Sequence, residues 1–141
     1  MINKELLQEM IEKKYISVQK HPEADLYIYN YTQNAQFERV WNEITLMCRG
    51  LILDVNMNIV ALPFKKFFNY EEHSVEDIPV GDFEAYEKMD GSLGILYHLD
   101  NVPHIATRGS FTSDQAVVGN KILNKNYYNL FEKLNKDYTY L

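Results

Sequence analysis

Two apolar, β-branched runs constrain this chain more than any other feature. Met47 to Val55 and Ile59 to Phe64 are joined only by Asn56-Met57-Asn58. Runs of this length, bounded by turn-forming residues, read as the two arms of an antiparallel hairpin. A second pair repeats the pattern: Ser92 to Leu99 and Val102 to Thr107, turned through Asp100-Asn101. A hairpin cannot bury an apolar face alone, so it needs a second layer. Two segments supply one. Asn3 is placed to cap a helix whose Leu6, Leu7, Met10 and Ile11 recur at helical spacing, ending near Tyr15. Thr112 opens a Thr-x-x-Gln capping box with Gln115. The long helix expected to follow carries Val118, Ile122, Leu123, Tyr127, Leu130, Phe131 and Leu134 on its buried side and ends at Asn135-Lys136. The expected class is α+β, with antiparallel hairpins in a twisted sheet and the first and last helices packed on it.

The remaining segments are less regular. Leu26 to Tyr31 alternates as a strand with Tyr27, Tyr29 and Tyr31 on one face. Packing is the ordinary role of such tyrosines, and RNA stacking is the alternative. His21-Pro22 reads as a turn with His21 at the surface. Residues 33 to 45 are polar, with Phe37, Val40, Trp41 and Ile44 at helix-like intervals, and read as a loop or short helix. Asp137 to Leu141 reads as a strand just beginning.

Composition narrows the function. The lone Cys48 excludes an internal disulfide and a cysteine-based zinc site, and suits a reducing cytoplasm. No apolar run is long enough to span a membrane, and no signal peptide opens the chain. The net charge of −6 argues against a general nucleic-acid binder. That charge is uneven, however. Residues 71 to 90 hold eight acids and one base, Lys88, so a phosphate site elsewhere stays open. His73, His98 and His104 lack metal-ligand spacing and read as structural. No Gly-x-x-x-x-Gly-Lys-Ser/Thr loop is present.

Four segments carry chemistry. In Glu87-Lys88-Met89-Asp90-Gly91-Ser92 a lysine stands at a turn, read as the end of a central strand, with Asp90 two positions on, and taken alone the run reads as a solvated turn rather than a reactive site. Free lysine amines are nucleophiles, but at pH 7 an ordinary lysine is neutral in only about one molecule in 2,500. Burial and neighbouring cations raise that fraction. Arg49, in Cys48-Arg49-Gly50, sits in an apolar strand and needs either an internal carboxylate or a phosphate or ribose. Lys65-Lys66-Phe67-Phe68-Asn69 sets cations beside aromatic faces, which suits a nucleotide and equally a strand end. Thr107-Arg108-Gly109-Ser110 ends the second hairpin close to a helix N-terminus, which favours anions.

Taken in order, these segments resemble the N-terminal part of the phage T4-type RNA ligases, in the covalent nucleotidyltransferase superfamily. The likeness runs from about Met47 to Ala116 and more faintly to the end. It implies a nucleotidyltransferase (ATP-dependent ligase) fold over residues 1–141, incomplete at the C-terminus. It also implies a three-step chemistry with ATP and Mg²⁺. A lysine takes AMP from ATP, passes it to an RNA 5′-phosphate, and a 3′-hydroxyl then displaces it. Lys88 matches the nucleophile, and Glu87 a position that accepts a hydrogen bond from the adenine amino group. Asp90 matches a position that orients the lysine or the metal. Arg49, Lys66 and Arg108 match positions on ribose and phosphate, and Phe68 lines the nucleoside pocket.

The family's further motifs, among them a Phe/Tyr-Glu strand, acidic metal ligands and a late lysine pair, have no counterpart here. The expectation is therefore an N-terminal piece, weak or inert alone, that self-associates through an open sheet edge near Tyr138. No residue is assigned as a metal ligand. The expected partners are RNA ends in repair, cleaved tRNA among them. The alternatives are a capping-type guanylyltransferase with the same lysine chemistry, and a non-catalytic binding module of the same fold.

Overall fold

The computed structural model describes residues 2–141. Its elements run α1 (Lys4–Glu12), β1 (Ile16–Lys20), β2 (Leu26–Tyr31), α2 (Gln33–Phe37), α3 (Glu43–Met47), β3 (Arg49–Asp54), β4 (Ile59–Ala61), β5 (Gly94–Leu99), β6 (Val102–Thr107) and α4 (Asp114–Asn126). Between β4 and β5 there are only two short 3₁₀ turns, Tyr70–Glu72 and Val75–Asp77. The class is α+β with antiparallel pairing throughout.

There are two sheets rather than one. The first is ordered β1-β2-β3-β4; β5 and β6 form the second. The first sheet is the middle layer. From β2 and β3 it sends Tyr29, Leu51 and Leu53 to one side, where they meet Leu7 and Met10 of α1 and Ile44 of α3. Ile28 and Ile52 point the other way, onto Ile95, Tyr97 and Ala106 of the second hairpin and onto Phe111. This explains why Leu51-Ile52-Leu53 does not alternate with polar residues, since both faces of β3 are covered.

The caps fix the helices. Asn3 Oδ1 accepts from the Leu6 N–H and starts α1, as expected. Asn42 and Thr45 form a reciprocal capping box that starts α3. The expected box at Thr112 does not form. Ser113 is the cap instead, its Oγ accepting from the Ala116 N–H and exchanging a 2.7 Å bond with Thr107 Oγ1.

Other expectations are corrected. The last helix stops at Asn126, and 3₁₀ turns over Tyr128–Lys133 replace its second half. Its apolar positions are largely uncovered: Val118 is 53% exposed and Ile122 47%. The helix meets β6 through small and polar contacts. Asn120 holds both the N–H and the C=O of Ile105, and a Cβ on Gly119 would stand 3.1 Å from Ile105. His21 is buried, against Phe111 and 3.1 Å from the Tyr97 hydroxyl. Its Nδ1 accepts the Glu23 N–H, so the side chain closes the His21-Pro22 turn inward. Tyr138 to Leu141 forms no strand, yet the Leu96 N–H donates to the Tyr140 carbonyl at 3.0 Å and the Leu62 N–H to Thr139 Oγ1. No helix among the described residues is long and apolar enough to cross a membrane.

Candidate active site

The site begins at an irregularity in β3. Opposite β2, Leu51 pairs with Tyr29, but Arg49 pairs with the next residue, Asn30. Gly50 is the extra residue of a β-bulge, and its φ of +89° suits glycine. Without the bulge the period of two would send Arg49 into the core shared by Leu51 and Leu53. With it, the guanidinium lies over the Phe67 ring, 5.2 Å from its centroid. Gly50 also lets β3 press against β6's end. A Cβ there would stand 2.4 Å from Ile95 Cδ1 and 3.3 Å from the Cα and carbonyl oxygen of Arg108. The two Arg-Gly segments, far apart in the sequence, thus share one contact.

From Arg108 a row of rings and cations continues. The Arg108 guanidinium lies 5.1 Å over Tyr31 and donates to its hydroxyl at 3.2 Å. Tyr31 meets Trp41 edge to face at 5.2 Å, and Trp41 meets Phe68 at 5.4 Å. The Lys66 ammonium sits 4.8 Å over Phe68 and 5.9 Å over Trp41. Its backbone is pinned by a bond from the Lys66 N–H to the Leu46 carbonyl. Phe68 in turn meets His73 edge to face. Beside Lys66 and Phe68 opens a chamber of about 600 Å³ that reaches Trp41, Arg39 and His73 and is lined on its acidic side by Glu71, Glu72 and Asp77.

None of these cations is in an ion pair among the described residues, although Glu71, Glu72 and Asp77 line the chamber beside Lys66. Among the described residues the ion pairs are Lys13–Glu9 and Lys20–Asp25, both on the surface and away from this group. Cations resting on aromatic faces gain a modest attraction and keep their N–H donors free for an incoming anion. The internal-carboxylate reading of Arg49 has no support here. Its partner is the Phe67 ring.

Three of the seven residues singled out in the sequence therefore lie along one row: Lys66, Phe68 and Arg108. Arg49 is tied to it through the close approach of Gly50 to Arg108, while its guanidinium rests on Phe67 and lines neither the chamber nor the groove beside Arg108. Glu87, Lys88 and Asp90 do not join them. They lie on a stretch, 81 to 92, that is exposed throughout, and they line neither the chamber nor the groove beside Arg108. The expected central strand before Lys88 is absent, with Phe83 88% and Tyr86 81% exposed. The reason is physical: this segment has no partner strand, and its acidic side chains favour water. Among the described residues no three His, Cys, Asp or Glu side chains gather as a metal site.

Sequence reasoning missed Tyr31 and Trp41 as the link between Arg108 and Lys66. In the sequence Tyr31 reads as packing, with RNA stacking as the alternative, and Trp41 as one apolar position in a polar stretch. The available signal was the Asn42–Thr45 capping box, which fixes the chain immediately after Trp41.

The family model for RNA ligases matches residues 47–141, which hold all four segments. A protein of Autographa californica nuclear polyhedrosis virus, named as a bifunctional polynucleotide kinase/RNA ligase, is 30% identical over 125 residues. The match takes in 79% of this chain and 17% of that protein. An RNA ligase of Rhodothermus phage RM378 is 28% identical over 145 residues, 82% of this chain and 32% of that one. The chain thus spans less than a third of either relative's length. On the family match, with its motifs in order, the chain belongs to the T4-type RNA ligases.

Proposed function

We propose that this chain carries the adenylylation chemistry of an ATP-dependent RNA ligase on a nucleotidyltransferase fold, with Lys88 as the nucleophile. One observation carries the reading. Lys66 and Arg108 lie along one row of aromatic rings, with Arg49 on the Phe67 ring and Gly50 against Arg108, and none of the three is in an ion pair among the described residues although Glu71, Glu72 and Asp77 line the chamber, in a chain whose family joins RNA. Cations outside any ion pair beside aromatic faces suit a nucleoside triphosphate, the rings meeting base or ribose and the cations its phosphates.

In this scheme the Lys88 amine, having lost a proton, attacks the α-phosphorus of ATP. An N–P bond forms, the P–O bond to pyrophosphate breaks, and pyrophosphate leaves with the electron pair. Arg49, Lys66 and Arg108 stabilise the charge that grows on the phosphoryl oxygens. AMP then passes to an RNA 5′-phosphate, and a 3′-hydroxyl displaces it to close the phosphodiester. Glu87 accepts from the adenine amino group, Asp90 orients Lys88, and Phe68 lines the nucleoside pocket. The exposed stretch bearing Lys88 has to fold against the cations for in-line attack, because misplacement by about an ångström can cost 100-fold. The described residues offer no cluster to hold Mg²⁺, and none of these steps is assigned to a metal. The resulting activity serves RNA repair.

The test is to incubate the chain with ATP and Mg²⁺, then with GTP, and follow the intact mass. The expected result is slow gain of one AMP from ATP, mapped to Lys88 by peptide sequencing. Lys88→Ala and Lys88→Arg should both abolish it, since a guanidinium stays protonated. An adduct retained in either variant, labelling by GTP alone, or no adduct at all would overturn the proposal.

A further inference from the structure

The chamber beside Lys66 is not the largest hollow on this side of the molecule. Across Arg39, which lines both, lies an open groove of about 980 Å³ that ends at Arg108. Its floor is the end of β2 and its wall is α2, so most of it is built from residues ahead of the family-matched segment. We propose that this groove holds a single-stranded RNA end and delivers it to the adenylylated lysine. The inference rests on the ligase reading for its purpose, although binding itself needs no nucleotide.

The chemistry of the lining points to a polynucleotide. Arg108 and Arg39 stand along it as two cations, and neither is ion-paired among the described residues. Two separated cations suit successive phosphates along a strand better than one small anion. Between them the lining is amide and hydroxyl, with Gln33 and Gln36 from α2 and Asn30 from β2. Amides present both donors and acceptors, the complement of unpaired base edges and 2′-hydroxyls. Asn30 Oδ1 is buried without any hydrogen-bond partner, and a strand in the groove reaches it only if the Asn30 side chain turns outward. Phe37 stands at the same groove 90% exposed, against the ordinary preference of a phenylalanine, and offers a face on which a base can stack. Arg39 itself is held at φ 54°, a left-handed backbone that arginine rarely adopts and that aims it at the junction of chamber and groove. The single carboxylate in the lining is Glu72, whose Oε2 accepts the Asn69 N–H at 2.8 Å.

The test is fluorescence anisotropy of a labelled, 5′-phosphorylated single-stranded RNA of about a dozen nucleotides, within the usual site size. The titrant is the whole chain without ATP. Phe37→Ala should weaken binding about tenfold, in the range known for loss of one base–aromatic stack. Arg39→Ala should reduce the slope of log affinity against log salt by about 0.7, the share of one single-strand phosphate. Both side chains are exposed, so unfolding midpoints should hold and serve as the control for folding. Affinities within twofold of wild type in both variants would overturn the proposal. So would equal competition by polyglutamate, which would identify an acidic peptide as the occupant. Because this binding is read without ATP, the two readings fail separately. An unlabelled Lys88 with responsive variants removes the ligation reading. A labelled Lys88 with indifferent variants removes the groove.

Discussion

Replacing Gly50 by alanine tests the geometry that brings the two arginines together. The new methyl group meets three things at once. The backbone φ of +89° is one an L-residue resists, at a cost of about 1–2 kcal/mol. Ile95 Cδ1 would lie 2.4 Å away, and Ile95 is fully buried, so it has nowhere to turn. Overpacking of this kind costs about 1–3 kcal/mol. The Arg108 backbone at 3.3 Å must also give by a few tenths of an ångström. The total is about 2–5 kcal/mol, a large part of the stability of about 5–15 kcal/mol usual for a domain. At this chain length that is a fall of roughly 6–25 °C in Tm. The mechanism is separable by a second change. Ile95→Val removes Cδ1 and alone costs about 0.5–1.5 kcal/mol. In the double variant the clash is gone, so Gly50→Ala/Ile95→Val should be no less stable than Gly50→Ala, a coupling of about 1–3 kcal/mol. Thermal and urea unfolding of the four proteins, followed by circular dichroism, give the cycle. Simple additivity, with the double variant lower by the whole Ile95→Val cost, would refute the argument that Gly50 exists for close approach.

Further expectations concern the site, pH and the thiol. Arg49→Ala and Arg108→Ala should each slow lysine adenylylation by on the order of 10²-fold, as loss of a preorganised charge partner does. Lower stability with an unchanged rate would show that both arginines are structural. Burial holds the His21 imidazole below its ordinary value of 6.5, with His104 adding to the effect and Glu23 opposing it. Burial, then Lys136 and His104, act in the same direction on His98. The unfolded chain therefore binds protons that the folded chain resists. Stability should be full above about pH 6.5 and fall as pH drops through the lowered folded values. His21→Asn keeps an acceptor for the Glu23 N–H and should shrink that acid-side fall in Tm; an undiminished fall would exclude His21 as a source. Burial pushes the Cys48 thiol up to about 12, so the folded chain should react with a thiol reagent only as fast as it opens. Immediate stoichiometric labelling in buffer would contradict the packing described for α3 and β3.

The parts of the fold legible in the sequence were those with strong local signals. The strands 49–54, 94–99 and 102–107 and the Asn3 cap are set by β-branched runs, turn residues and one capping side chain. What escaped was decided by tertiary cover. β1 reads Ile16-Ser17-Val18-Gln19-Lys20, and only Ile16 is buried, so the edge strand carries too little apolar pattern to announce itself. The helical spacing of Val118 and Ile122 says that they share a face, but not what lies on it. The proline beside His21 points to a surface turn, whereas the pocket of Tyr97 and Phe111 comes from residues far along the chain. At the site, the order of Arg49, Lys66, Phe68 and Arg108 was legible because these residue types need anionic or aromatic company. The bulge at Gly50 was not, since it exists only opposite β2. Nor was the exposure of Lys88, which depends on whether a partner strand is present for residues 83 to 86.

Trp41 is the chain's single tryptophan, and it stands between Tyr31 and Phe68 with the Lys66 ammonium over its ring. Indole emission responds to nearby charge and to the polarity around the ring. A ligand that draws Lys66 away, or that seats an anion against it, changes both. The molecule thus carries an optical reporter at the junction of its cations, and its intrinsic fluorescence can be titrated with nucleotide or RNA without any label. Lys66→Ala, which removes the charge and leaves the indole, gives the matching blank.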